Sequence, residues 1–257
     1  MPQPLIATAQ KILSKETKKF VFVSVSGAHL YGFDSFNSDL DLRGCHMPEM
    51  FESLRYFNTP DTFEKMYLDT NLWPDEVDIV SHSLLKYLHL LTKQPNGYIL
   101  EQLFSPLVVQ TSTIHEQIKS IAKLTFAKEL KHHYGGFFKN QERLLTKEKK
   151  EIKLVLYQLR IICSSINMAR NHEVDANLIS ANSKTQIFDQ QKLLELIEIK
   201  RLGEKNNFPD TKLKEYWLAQ IADKTSLIDV EFDRSGLPSY DPSLALKEAK
   251  KVIMDIL

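Results

Sequence analysis

Two cysteines in 257 residues, Cys45 and Cys163, are too few for a disulfide framework and too far apart for a CxxC metal knuckle. They read as thiols of a reducing compartment. No apolar run reaches the ~18–20 residues that a membrane-spanning helix needs. The opening stretch, MPQPLIATAQKILSKETKK, has no apolar core of the secretory kind. The expectation is therefore a cytoplasmic protein with no membrane partner. Surplus charge is missing too: 33 Lys+Arg balance 33 Asp+Glu, which excludes a uniformly basic nucleic-acid coat. No internal repeat or low-complexity tract occurs. What remains is ordinary for a globular protein, with 43% apolar and 26% charged residues, enough chain for one large domain or two small ones.

The charge is uneven along the chain. Residues 1–112 hold 9 Lys/Arg against 13 Asp/Glu, a balance of −4, and residues 113–257 hold 24 against 20, a balance of +4. Within Lys119–Arg160, 11 basic side chains stand against 4 acidic ones. Periodicity changes at the same place. Before residue 112, short β-branched or alternating runs read as strands: FVFVSV (Phe20–Val25), DLDLRGC (Asp39–Cys45) and EVDIVS (Glu76–Ser81). Amphipathic helices are expected at 4–16, in LLKYLHLL after a Ser81 or Ser83 cap, and in YILEQLF after Pro95-Asn96-Gly97. After residue 112 the pattern is helical, over roughly 113–130, 131–146, 148–170, 188–203, 210–224 and 243–256. Residues 171–184 read as a polar loop, and FDRSGLPSYDP (232–242) as non-helical. The fold class is α+β, with one domain over 1–112 and an all-α helical domain over 113–257.

The informative segment is VSVSGAHLYGFDSFNSDLDLRG, residues 23–44. A strand ends in Ser26-Gly27, ten residues separate Ala28 from Asp39, and Asp39-Leu40-Asp41 opens the next strand. Residues i and i+2 of a strand share a face, so Asp39 and Asp41 point the same way. Converging carboxylates repel unless a cation stands between them, and a hard ion such as Mg²⁺ suits them together with substrate phosphates. The Gly27 turn allows close backbone approach to a phosphate. Asp-x-Asp alone is a weak signal. Strand, Ser-Gly, a set gap and Asp-x-Asp is a stronger one, and Asp78 in EVDIV supplies a third acid, with Glu76 on the same face.

These residues resemble the DNA polymerase beta superfamily of nucleotidyltransferases, and within it the predicted nucleotidyltransferases associated with RNA repair. The pattern stands here as Gly27-Ala28-His29-Leu30-Tyr31-Gly32 and Ser38-Asp39-Leu40-Asp41-Leu42-Arg43-Gly44. Similarity extends through DEVDIVSHSLLKYLHLL and NGYILEQLFSP and returns weakly in KLVLYQLR, LLELIEIKRLGE and GLPSYDP. The resemblance implies a palm-like mixed sheet in the N-terminal domain. It also implies two Mg²⁺ ions (Mn²⁺ as an alternative) held by Asp39, Asp41 and Asp78. The expected substrate is an NTP, with ATP the first choice, and its NMP moves to a hydroxyl acceptor such as an RNA 3′ end. Nucleotide contacts fall on Ser26, Gly27, Ala28, His29, Tyr31, Ser38 and Arg43. The superfamily usually has serine where this chain has Ala28; Ser26 or backbone N–H groups are the available replacements for its phosphate contact.

Other residues have two readings each. Arg43 shares the face of Asp41, so it either pairs with that carboxylate or binds phosphate. Lys153, Tyr157 and Arg160 fall on one helix face, where Lys153 and Arg160 either meet a triphosphate or form a solvated stripe. The basic stretch 119–160 is the candidate RNA contact, salt-sensitive and sequence-blind, although Tyr134, Phe137 and Phe138 within it suit a core better. Two other functions stay open: antitoxin-like nucleotidylylation (AMPylation) of a partner protein, and a non-catalytic relative that senses nucleotide or RNA. A ribonuclease with Arg followed five or six residues later by His is excluded, since no arginine meets that spacing.

Overall fold

The computed structural model describes residues 2–48, 62–69, 71, 73–145, 151–202 and 207–256. It contains a mixed sheet of β1 (Phe20–Val25), β2 (Leu40–His46), β3 (Thr62–Tyr67), β4 (Val77–Ser83) and β5 (Val108–Gln110). The strands lie in the order β3-β4-β2-β1-β5. β2 and β4 run parallel, and the other neighbours are antiparallel.

Helix α1 (Pro2–Leu13) covers one face, with Ala9, Ile12 and Leu13 in one cluster with Val23, Val25, Leu40, Leu42, Val77 and Ile79. Helices α3 (Leu84–Lys93), α4 (Gly97–Leu103) and α5 (Thr113–Lys123) pack on the sheet as well. The Phe22 ring stands edge-on to Tyr87 of α3 at 5.3 Å and stacks on His115 of α5 at 4.3 Å. Ser24 Oγ donates to the carbonyl of Gln102 in α4 at 2.8 Å. β1 is thus buried on both faces, which explains a run with no polar alternation. Ser83 caps α3, its Oγ accepting from the Lys86 N–H.

The chain forms two compact units that are not consecutive segments. The first comprises Met1–Leu30, Ser38–Phe126 and Tyr240–Leu257; the second comprises Tyr31–Asn37 and Ala127–Ser239. The boundary expected at residue 112 falls inside the first unit. α5 packs on the sheet, and α12 (Pro242–Met254) returns to lie on α3 and α5, burying Ala245, Ala249 and Val252. Between α1 and these elements, α2 (Gly27–Tyr31) is a single turn at the junction. In the second unit the long α7 (Glu151–Asn171) packs against α6 (Leu130–Leu145), α8 (Leu178–Thr185), α9 (Gln190–Leu202), α10 (Thr211–Lys224) and α11 (Leu227–Arg234). No helix among the described residues is long and apolar enough to cross a membrane.

Four local expectations change. The expected loop 171–184 contains α8, whose Leu178, Ala181, Asn182 and Thr185 face the core and whose N-terminus Asn177 caps. The expected break at 232 comes later: α11 continues to Arg234, ahead of Gly236 at φ +71°. The helix expected over 113–130 ends at Lys123. Strands β3 and β5 were not among the expected elements; β3 is a largely exposed edge and β5 has three residues.

Candidate active site

Leu40 and Leu42 point into the α1 core, so Asp41 and Arg43 face the other way. Val77 and Ile79 do the same on β4 and turn Asp78 out beside them. The parallel register aligns Asp41 with Asp78. Like charges in that position repel, and Arg43 offsets this. Its Nη2 donates to Asp41 Oδ1 and to Asp78 Oδ2, both at 2.8 Å. Nη1 donates to the carbonyls of Leu42 at 3.1 Å and Asp78 at 2.9 Å, and Nε to the Tyr98 hydroxyl at 3.2 Å. Burial by itself pulls the guanidinium pKa down; Tyr98, Asp41 and Asp78 together outweigh that and raise it above the ordinary arginine value. The side chains of Asp41 and Asp78 stay 26% and 30% exposed against 13% for Arg43, so a ligand reaches the carboxylates from solvent.

Gly27 completes this corner. Its φ is +62°, and a Cβ there would lie 1.9 Å from Asp41 Oδ2. Conformation and room therefore both require glycine. The Ser26 N–H donates to the Asp41 carbonyl at 2.8 Å, joining the end of β1 to the acidic strand.

Asp39 lies one residue before β2 and is exposed. Its charge is felt at Glu76, whose pKa is raised by desolvation first and then by Asp39, Asp78, Asp75 and Asp41. The site is thus an acidic patch with one arginine set into it. Hard carboxylate oxygens suit a divalent cation, and the Arg43 nitrogen already marks a point where positive charge is shared by Asp41 and Asp78. Among the described residues, however, no group of three or more His, Cys, Asp or Glu side chains is arranged to hold a metal ion. The two-carboxylate part of the expected set fits a cation; Asp39 adds charge to the same patch.

The remaining candidates have these places. Ser26, Ala28 and Ser38 are buried. His29 packs edge-on against Trp73 at 5.5 Å, and the Trp73 Nε1–H donates to the Ser38 carbonyl at 2.9 Å. Tyr31, Lys153 and Arg160 belong to the second unit. Lys153 is half-buried, whereas Arg160 has no exposed surface and its guanidinium lies 3.9 Å over the Tyr31 ring. Tyr157 and Phe137 flank it. Tyr134 and Phe138 are core residues. Of the basic stretch, Lys119 pairs with Glu116 and Lys131 with Asp233, while Lys123, Lys128 and Lys139 are exposed. Lys147, Lys149 and Lys150 lie outside the described residues.

A family model described as the RNA repair pathway DNA polymerase beta family matches residues 1–255. The chain belongs to this family. Membership supports a nucleotidyltransferase-like role, and the match spans the sheet and the helical unit alike. Two relatives are similar over part of their length. The uncharacterized protein MJ0002 of Methanocaldococcus jannaschii is 33% identical over 165 residues, which is 62% of this chain and 64% of that protein. The uncharacterized protein YcgL of Bacillus subtilis is 28% identical over 165 residues, 63% of this chain and 61% of that protein. The chain spans somewhat under two thirds of the length of either relative.

One participant in the geometry is not among the candidates read from the sequence. Tyr98, brought to Arg43 by the Asn96 cap of α4, sits in the NGYILEQLF block and was legible there only as part of a resemblance.

Proposed function

We propose that this chain is a nucleotidyltransferase that moves a nucleoside monophosphate from an NTP to a hydroxyl acceptor, with an RNA end as acceptor. The observation that carries the reading is the alignment of Asp41 and Asp78 on parallel strands, sharing one cation beside a glycine that leaves no room for a Cβ. Family membership over residues 1–255 supports it.

In this reading the acceptor oxygen bonds to the α-phosphorus, the bond from that phosphorus to the β-phosphate oxygen breaks, and pyrophosphate leaves with the electron pair. Asp41 and Asp78 would hold Mg²⁺, with Asp39 adding negative charge to the same patch; bound there it would supply charge neutralisation on the triphosphate and a lower pKa for the acceptor hydroxyl. Arg43 keeps the two carboxylates turned to one side and fixes them through Tyr98 and two carbonyls. Gly27 keeps the chain after β1 tight against Asp41. The exposed Lys128 and Lys139 of the second unit supply sequence-blind phosphate contacts for RNA.

The test incubates the protein with each labelled NTP, Mg²⁺ or Mn²⁺, and total RNA. Label should enter the RNA fraction, and Asp41→Asn and Asp78→Asn should each lower it about 1000-fold or more. Label in a protein fraction would redirect the reading to protein nucleotidylylation. Equal label from wild type and both variants would overturn the assignment.

A further inference from the structure

In the second unit, α6 and α10 both pack on α7, and side chains of all three helices line a groove of about 470 Å³. That volume falls within the range of small-molecule sites. Its walls are apolar. α6 contributes Phe138 and Leu145, two turns apart on one helix face, and α10 contributes Leu218, Ile221 and Ala222, which share a face as well. Ala222 is the smallest of them and is exposed, so a larger side chain there would fill the groove without entering the core.

The remaining wall is polar. Gln158 of α7 lines the groove with only 2% of its surface exposed, and its Oε1 has no hydrogen-bond partner among the described residues. The Thr225 hydroxyl, also in the lining, sends its proton to the Ile221 carbonyl at 2.6 Å. A buried carbonyl without a donor destabilises the fold, and native proteins keep few of them. The buried Leu154, Val155, Leu156 and Leu159 around it on α7 show what a purely structural position on this helix carries. Glutamine among them calls for a donor from outside the chain. Its last torsion is soft, so a small turn brings the carbonyl to a donor in the groove.

The lining limits what that donor belongs to. A hydrocarbon chain would leave the carbonyl unpaired, and an anion would be repelled by it. A nucleobase has apolar faces for the walls and N–H groups at its edge for the carbonyl. The exposed Lys139 and Glu142 stand in the same lining, where Lys139 suits a phosphate attached to the base.

We propose that this groove is a nucleobase subsite of the helical unit, with Gln158 Oε1 accepting from the edge of the base. The proposal deepens the nucleotidyltransferase reading and rests on it for choosing a nucleobase among flat heterocycles. The base belongs either to a free nucleotide or to single-stranded RNA.

The experiment measures equilibrium binding of ATP and, separately, of oligo(A) and oligo(U) RNA to wild type, Gln158→Leu and Ala222→Phe. EDTA is present throughout, so no divalent cation contributes. Urea unfolding is followed in parallel. Ala222→Phe should weaken ATP or RNA about 10-fold or more, and the ligand that responds identifies the source of the base. Gln158→Leu should weaken the same ligand about 10-fold and reduce its discrimination between adenine and uracil. Its unfolding midpoint should be equal to wild type or higher, because the orphaned carbonyl is gone. A wild type that binds none of the three ligands would overturn the subsite. So would both variants binding like wild type, the result for a groove that holds water only. A lower midpoint in Gln158→Leu with unchanged binding would make Gln158 structural and overturn its role. Binding in EDTA needs no turnover, so the two readings fail separately. An effect of both variants on binding in a protein without transfer activity sinks the enzyme and keeps the subsite, and transfer activity with binding unchanged in both variants does the reverse.

Discussion

Arg43 and Arg160 are both enclosed arginines, and the two units use them in opposite ways. Arg43 is held by charge: two carboxylates, two carbonyls and a phenol surround it, and the carboxylates remain open to water. Arg160 has aromatic faces against it, with Tyr31, Phe137 and Tyr157 around its guanidinium and no surface exposed. Carboxylates that accept an arginine accept other cations, because Coulomb attraction is indifferent to the carrier. Aromatic faces enclosing an arginine fix it as part of a core. The first arrangement suits a place where ligands come and go, and the second a support.

That contrast can be broken most directly by truncating each arginine. Arg160→Ala should cost about 3 kcal/mol in urea unfolding, from the cavity and the lost cation–π contacts, and added Mg²⁺ should not recover it. Arg43→Ala should cost about 1–2 kcal/mol by leaving Asp41 and Asp78 side by side without their cation, and millimolar Mg²⁺ should recover most of that. If Mg²⁺ rescues neither variant or both alike, the distinction fails. Gly27→Ala comes next. The strained φ and the collision with Asp41 should cost about 2 kcal/mol, seen as an earlier unfolding midpoint, and transfer activity should fall further than stability does.

The smallest effect concerns protons. Burial first, and Arg160 second, push the His133 imidazole down to about 4. The unfolded histidine takes up its proton near pH 6.5, while the folded one stays neutral until about pH 4. The contribution is therefore intact above the unfolded value and is lost as pH falls between the two, since the unfolded state then binds more protons. His133→Gln should lose about 1 kcal/mol less stability than wild type between about pH 7 and about pH 4.5, allowing for partial exposure. His82, also pushed down to about 4, sharpens the comparison by NMR titration. Arg160→Ala should lift His133 visibly, while Arg43→Ala should barely move His82, where burial, Lys86 and His46 all outrank Arg43.

The sheet elements that carry the candidate site were legible because their patterns are local. FVFVSV is apolar throughout, and DLDLRG and EVDIV alternate, so period two already put Asp41 and Arg43 on one face and Asp78 on the polar face of its own strand. β3 has no signal in the sequence because an exposed edge strand carries no buried stripe. The sequence of α8 reads as loop because its inner face includes Asn182 and Thr185, polar residues that only a particular neighbour satisfies: Asn182 Nδ2 donates to the Phe188 carbonyl at 2.9 Å, and the Phe188 N–H returns a bond to its Oδ1. Arg160 shows the same ambiguity from the other side. Its spacing from Lys153 and Tyr157 is that of a helix face, and spacing does not say whether the face meets water, phosphate or aromatic rings.

The amino-acid order alone determined the α+β class, the family resemblance and the direction in which Asp41 and Arg43 leave their strand, since each depends on residues within a few positions of one another. Tertiary structure alone decided that Asp78 stands beside Asp41, that the polypeptide from Tyr31 to Asn37 is held by the helical unit, and that α12 returns to lie on α3 and α5. These pairings join residues tens to hundreds of positions apart. What selects them is the burial available when whole elements meet, a quantity that no short stretch of sequence contains.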